Sequence, residues 1–512
     1  MDIVSLFESN VRKYAGKPFL RYQGEGWSYA AVAQQSRRVA GALAAQGLRR
    51  GDKVAVMGFN TPDVVLSMLG AWRLGCVVIP VNHKMQAPEV DYVLGHSGAG
   101  VLLFAGELAG VVDRLSAAVP ALSLDRAVAG RPFLPALAAQ SEGVDGIEPD
   151  EDDVAEILYT SGTTGKPKGC LHSHRNVCHV GLSTAVSLSM TRDERTLVAM
   201  PIWHSSPLNN WFMGTLCVGG TVVLLREYHP RAFLEAIQDE KVTLFFGAPV
   251  SFTMPLQAVP DFDRFDLGSI RAFAYGGGPI GADVARRLAQ AYRCDRFFQV
   301  YGMTETGPAG TVLYPEEQLA KAGSIGRTAI PGVDMRVVLA DGSGADAGPG
   351  QTGEIWIKAQ STMQGYLHDE QATASVMADG WYRSGDLARV DEDGYLFLVD
   401  RSKDMIITGG ENVYSKEVED AVSAHADVSD VAVVGRPHPE WGETVIAFVV
   451  PREGAVLDAE PLRAFLATRL ARYKIPREFI VCESLPRTPT GKIMKHVLRE
   501  QLARGAAAAA AP

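Results

Sequence analysis

The segment Ile157–Gly169, ILYTSGTTGKPKG, runs an apolar strand directly into hydroxyls at Thr160, Ser161, Thr163 and Thr164, glycines at 162, 165 and 169, and lysines at 166 and 168. Glycines let successive backbone N–H groups converge on an anion, hydroxyls add donors, and ammonium groups follow phosphoryl oxygens. That combination is phosphate-binding chemistry. A flexible surface loop needs glycine and serine but neither the lysines nor the preceding strand. The segment is not the common nucleotide loop G-x-x-x-x-G-K-[ST], because two residues separate Gly162 from Gly165 and Pro167 follows Lys166.

Four further segments set polar groups in apolar surroundings. His204 follows PIW, where an imidazole can titrate, accept a hydrogen bond or close a wall as an ordinary structural histidine. Glu305, in FFQVYGMTE, suits a divalent cation that neutralises phosphates, and equally suits a helix start. Asp386, in WYRSGDLA, can accept from two adjacent ribose hydroxyls or cap an Asx-turn. Lys492, in PRTPTGKIMKH, follows a Pro- and Gly-rich approach that could project its ammonium, the alternative being a solvated charge.

These residues need a scaffold, and the sequence spells one. DKVAVMGFN reads as a strand, PDVVLSMLGAWRLG as a helix and CVVIPVN as a strand, and the same grammar recurs through LVAMPIW, PRAFLEAIQDEKVTLFFGAP and IRAFAYGGGPIGADVARRLAQAY. The expectation is an α/β fold with mixed α+β parts, whose large domain, residues 1–399, holds two stacked parallel-rich sheets. A β-rich lobe is expected over about 322–399, from PGVDMRVVLADGSGADAGPGQTGEIWIKA and DEDGYLFLVD. A joint at 400–403 and an α+β domain at 404–512 follow, with a tail from about 503 expected to be a frayed helix or disordered.

Composition sets the outer limits. Forty-nine Lys and Arg against 59 Asp and Glu give a formal charge of −10, so no overall positive field recruits nucleic acid or an anionic membrane. The start, MDIVSLFESNVRKYAGKP, lacks the basic and unbroken apolar regions of a signal peptide, and no stretch approaches 18 uninterrupted apolar residues. Six dispersed cysteines with no C-x-x-C pair read as buried thiols of a reducing cytoplasm.

Taken together, YTSGTTGKPKG, PIWH, AYGGGPI, YGMTE, WYRSGDLA, DRSKDMIITGGENVYSKEVE and PRTPTGKIMKH resemble, in order and spacing, the adenylate-forming superfamily of acyl-CoA synthetases, peptide-synthetase adenylation domains and beetle luciferases. The likeness is strongest to a stand-alone bacterial-type acyl-CoA synthetase. It implies that a carboxylate attacks the α-phosphorus of ATP, giving an acyl adenylate and pyrophosphate, and that the thiol of coenzyme A then takes the acyl group and expels AMP. By the same resemblance Thr160, Ser161, Gly162, Thr163, Thr164 and Gly165 surround the β- and γ-phosphates, with Lys168 beside the leaving pyrophosphate. Thr304 is a phosphate-side contact, Glu305 the magnesium ligand, and Asp386 with Arg401 the ribose pair. Tyr301 and Gly302 lie by the adenine, and Gly276, Gly277 and Gly278 form a strip shared with the acyl pocket. Lys492 is the catalytic lysine; His204, Thr160 and Glu305 stand with it closest to the chemistry, His204 as gate or base. Rotation about Lys403 would then exchange Lys492 for Gly409, Gly410 and Glu411, which line the pantetheine channel.

Trp203, His204, Ser206, Asn209, Asn210, Phe246, Gly277, Met303, Gly307 and Ala309 are the expected pocket residues, mostly apolar, aromatic or small. A medium-sized hydrophobic acid, fatty or branched, is the leading expectation, and an aromatic acid the alternative because Ser206 and Asn210 could meet a ring hydroxyl. A carrier-protein thiol or an amine as acceptor, luciferase-like oxidation, and a non-catalytic nucleotide sensor are the rival readings. The expected protein is a cytoplasmic monomer or homodimer that uses ATP, Mg²⁺ and coenzyme A and binds no nucleic acid.

Overall fold

The computed structural model describes residues 1–509 apart from 147–148, 161–166, 402–403, 409–410, 439–440 and 488–492, and the side chains at 411–412 and 505–509 also fall outside it. Alternation along Lys53–Met57 shows how the first sheet is clothed. Val54 and Val56 enter one apolar cluster with the helices Ile3–Tyr14, Tyr29–Ala45 and Pro62–Arg73, whereas Ala55 and Met57 face another with the helix Ala87–Ser97. This sheet has seven strands, in the order Gly365–Tyr366, Lys168–Ser173, Val154–Thr160, Val77–Val81, Lys53–Met57, Val101–Phe104 and Ala121–Ser123. The last five are mutually parallel and the first two antiparallel.

A nine-stranded sheet covers the other side of the helical layer. Leu20, Val198, Val222 and Leu224 join the first cluster, while Leu197, Val223, Phe245 and Phe273 turn to the helices Pro230–Glu240, Pro249–Ala258 and Ala282–Tyr292. The large part is therefore layered helix, sheet, helix, sheet, helix, with parallel strands at the centre of both sheets, as the repeated strand–helix grammar requires. Strands run buried on both faces, which is why they read as apolar stretches rather than polar–apolar alternation.

The chain forms two compact units. One comprises Met1–Thr160, Pro167–Met335 and Ile357–Tyr382; the other comprises the described residues of 336–356 and 383–512. Thus residues 336–356 and 383–399 of the expected β-rich lobe belong with the C-terminal unit. In that unit the part of Trp381–Val390 from residue 383 on pairs antiparallel with Leu396–Arg401, and a separate sheet takes the order Glu411–Val413, Ile406–Thr408, Gly442–Pro451, Val428–His438, with Glu478–Val481 also on Gly442–Pro451. Val431 and Val433 pack on the helices Ser415–Ser423 and Ala459–Ala467, and Ala432 and Val434 on Leu485 and Leu498. The tail is helical as far as Ala509: alanine carries no side-chain entropy cost, so the run continues the helix that Leu498 anchors. Four cysteines are buried and all six are free, but Cys217 and Cys482 are only half-buried.

Candidate active site

Val154–Thr160 and Lys168–Ser173 flank the Gly-rich segment as an antiparallel pair, with Thr160 opposite Lys168. Gly365–Tyr366 adds to the outer edge opposite Leu171 and Cys170, which brings Tyr366 to Lys168. The Lys168 ammonium lies 4.7 Å from the Tyr366 ring centroid, and the Tyr366 hydroxyl donates to Glu305 Oε1 at 3.1 Å. One phenol therefore holds the cation against its face and the carboxylate at its edge. Burial, and after it the Glu305 charge, pushes the Tyr366 and Tyr382 phenols well above their usual range, so both remain protonated.

The loop after Phe297–Gly302 is held from several sides. Thr304–Thr306 makes a short 3₁₀ turn; Met363 N–H donates to Glu305 O at 2.8 Å, Ser361 Oγ to Thr306 O at 2.6 Å, and Thr306 Oγ1 to Ala309 O at 2.6 Å. Gly307 takes φ +102°, and a Cβ there would stand 2.6 Å from Ser361 O, so no other residue fits the turn. Thr304 Oγ1 lies 3.0 Å from Ser205 Oγ, which ties this loop to the segment carrying His204. Tyr301 and Gly302 end the strand opposite Thr311 and Gly310.

The expected pocket residues fall into three groups. Trp203 Nε1–H donates to His83 Nδ1 at 3.1 Å, and the Trp203 and His204 rings meet edge to face at 6.1 Å. Ser206–Phe212 is a π-helix, a form that recurs at functional sites. It sets Trp211 parallel to Phe246 at 4.8 Å, with Trp211 Nε1–H on Ser206 Oγ at 3.1 Å. Asn210 donates to Thr184 Oγ1 at 2.9 Å and Pro308 O at 3.2 Å, while its buried Oδ1 has no partner among the described residues. Ala309 packs with Trp211 and Phe246, but Met303 packs instead with Tyr366, Tyr382 and Met363. Gly276 lies where a Cβ would approach Val300 O at 2.9 Å; Gly277 has open space beside it, and a Cβ at Gly278 would make ordinary contact with Pro249 at 3.8 Å.

In the C-terminal unit Asp386 stands opposite Arg401, with Arg401 Nε 3.0 Å from Asp386 Oδ1. The pair expected to hold a ribose is thus assembled by strand register. Ser161, Gly162, Thr163, Thr164, Gly165, Lys403, Gly409, Gly410 and Lys492 lie outside the described residues, as does the Glu411 side chain.

Residues 7–367 match the AMP-binding enzyme family model, and residues 417–492 match the model of the AMP-binding enzyme C-terminal domain. The chain belongs to the AMP-binding enzyme family. A feruloyl-CoA synthase from an Amycolatopsis species is 40% identical over 486 residues, covering 94% of this chain and 95% of that protein. The indoleacetate–CoA ligase of Aromatoleum aromaticum is 36% identical over 509 residues, covering 98% and 99%. Among solved structures, the o-succinylbenzoate coenzyme A synthetase of Bacillus subtilis, in complex with ATP and magnesium ion, superposes with a TM-score of 0.82 at 29% identity, covering 97% of this chain and 99% of that one. This AMP-binding enzyme is an AMP-forming acid–thiol ligase. No helix among its described residues is long and apolar enough to cross a membrane.

Sequence reasoning missed Tyr366, Tyr382, His83 and Trp211, which reach the candidate site through tertiary pairing; GYLHD, NHKM and NWFMG carry no local mark of it, and in WYRSGDLA only Asp386 was singled out. It also missed Glu156 and His172, two polar residues in apolar strands, although a polar residue in a strand buried on both faces was a readable anomaly. Burial pushes the Glu156 carboxyl up from 4.5 to about 7, and pulls the His172 imidazole down from 6.5 to about 4. The folded protein holds the Glu156 proton more tightly than the unfolded chain does. Stability carried by the neutral carboxyl is therefore full below pH 4.5 and is lost as pH rises to about 7. His172 works the other way, losing stability as pH falls from 6.5 toward 4. Glu156→Gln removes the first dependence. Its stability relative to wild type, read from urea midpoints, should rise by of order 3 kcal/mol between those two carboxyl values and stay level above them; a difference that is flat with pH contradicts a carboxyl held neutral by the fold.

Proposed function

We propose that this ligase activates a flat aromatic or arylalkanoic acid as its acyl adenylate and passes the acyl group to coenzyme A. The observation that carries the acid class is the Trp211–Phe246 stack, two near-parallel aromatic planes with centroids 4.8 Å apart that line a cleft with Met200 and Pro207. The two aromatic planes favour a ring sliding alongside them. The unpartnered Asn210 Oδ1 and the Ser206 hydroxyl offer acceptors to a ring hydroxyl or N–H. The feruloyl- and indoleacetate-directed relatives support the same class, and the family's acceptor supports coenzyme A.

In this reading Lys168 and the Thr160 segment take the phosphates of ATP, and Thr304 adds a hydroxyl donor. Glu305 fits Mg²⁺: it offers hard oxygen with a phenol as second partner, and no cluster of three acidic, His or Cys ligands exists among the described residues, as suits an ion completed by phosphates and water. Bound there, the ion would neutralise phosphate charge. Asp386 accepts from the ribose while Arg401 orients the carboxylate. Lys492 bridges the attacking carboxylate and the α-phosphate, where charge concentrates in the transition state. Rotation about Lys403 then brings Gly409, Gly410 and Glu411 to the thiol step.

The test compares pyrophosphate release with benzoate-, phenylacetate-, cinnamate- and indole-type acids against straight and branched aliphatic acids, followed by mass analysis after coenzyme A is added. Aromatic acids should lead in kcat/KM by about 10-fold or more. An aliphatic acid at the top of that ranking would overturn the acid class, and adenylate that stays unconverted by coenzyme A would overturn the acceptor.

A further inference from the structure

Three fully buried polar side chains from three elements converge on the loop that carries Thr304 and Glu305. Glu156 and His172 are cross-strand partners in the strand pair flanking the phosphate segment, and Asn209 belongs to the π-helix. The Asn209 amide has two N–H donors and divides them: one goes to Glu156 Oε1 at 2.6 Å, the other to Gly307 O at 3.2 Å. The His172 ring lies against the Thr304 and Ser361 backbone, to which its nitrogens are drawn, and neither nitrogen makes a hydrogen bond of full geometry among the described residues. Glu156 Oε2 and Asn209 Oδ1 likewise have no partner there.

Burying these groups costs stability that an apolar pair at 156 and 172 would avoid. What an apolar pair cannot supply is an acceptor for the Asn209 hydrogen that Glu156 takes. Without it Asn209 loses the contact that sets its amide plane, and Gly307 O loses its aimed donor. Gly307 is the positive-φ end of a short turn whose start is Thr304, so a shift at one end is carried to the other.

We propose that Glu156 is a positioning residue for adenylation: acting through Asn209, it fixes the Gly307 carbonyl and so the placement of Thr304 and Glu305 toward the nucleotide and its metal. The inference rests on the nucleotide site assigned above. It is tested in the full chain with Glu156→Val, Asn209→Ala, their double variant and Glu156→Gln. Affinity for ATP with Mg²⁺ is read by calorimetry, and kcat and KM by pyrophosphate release.

Glu156→Val and Asn209→Ala should each weaken Mg–ATP binding and raise the ATP KM by about tenfold, and the double variant should be no worse than the weaker single, since both remove one bridge. Glu156→Gln, whose amide oxygen replaces Oε1, should stay within about threefold of wild type. Multiplying effects in the double variant, or unchanged nucleotide affinity in Asn209→Ala, would overturn the proposal. If Glu156→Val does not fold, Asn209→Ala against Glu156→Gln carries the same decision. Wild type that binds Mg–ATP yet releases no pyrophosphate with any acid would sink the functional reading, while the binding comparison would still decide the role of Glu156.

Discussion

Lys492→Ala should lower acyl-adenylate formation by about 10²- to 10³-fold, the usual loss when one preorganised donor is taken from a charged transition state, while thiolysis of adenylate supplied from outside proceeds. In the proposed role the ammonium gains most where negative charge gathers between the carboxylate oxygen and the α-phosphate, so its removal should reduce kcat with little change in nucleotide affinity. Rapid-quench measurement of each half-reaction separates the two. Equal loss in both would place Lys492 in general folding or binding rather than in the adenylation step.

Glu305→Gln should be nearly as severe, and different in kind. The amide keeps an oxygen for the Tyr366 hydroxyl, which now donates to Glu305 Oε1 at 3.1 Å, so the loop should stay in place. What goes is the negative charge that holds a hard cation. Pyrophosphate release should fall by about 10²-fold or more at moderate Mg²⁺ and recover in part as Mg²⁺ is raised. A loss that Mg²⁺ titration leaves untouched would remove Glu305 as the metal ligand and recast it as a partner of Tyr366 alone.

Much of this was readable in the sequence because strands and helices of a parallel sheet announce themselves locally. KVAVM and PDVVLSMLGAWR carry the period of their elements, and hydroxyl- and glycine-rich YTSGTTGKPKG follows a strand as a phosphate segment does. The pairing of Asp386 with Arg401 needed a hairpin register that no local pattern states: Asp386 was read at a turn, yet it lies within Trp381–Val390, opposite the end of Leu396–Arg401. Tyr366 was invisible because a two-residue edge strand has no period, and its importance comes from the Lys168 and Glu305 it meets. Met303 was expected in the pocket by neighbourhood, but its unbranched side chain fills the space beside Met363 and Tyr382. The alanine run was judged by its lack of amphipathic period, and intrinsic propensity extended the helix regardless.

The interleaving of the chain, with 336–356 and 383–401 both gathered into the C-terminal unit, bears on how such ligases can be recombined. A graft made at residue 400 would sever Leu396–Arg401 near its end, separate Asp386 from its guanidinium, and carry away the C-terminal sheet without the hairpin that belongs to it. Unpaired strand edges invite association between copies. A modular exchange that respects this protein's own seams would have to move the hairpin and the C-terminal sheet together.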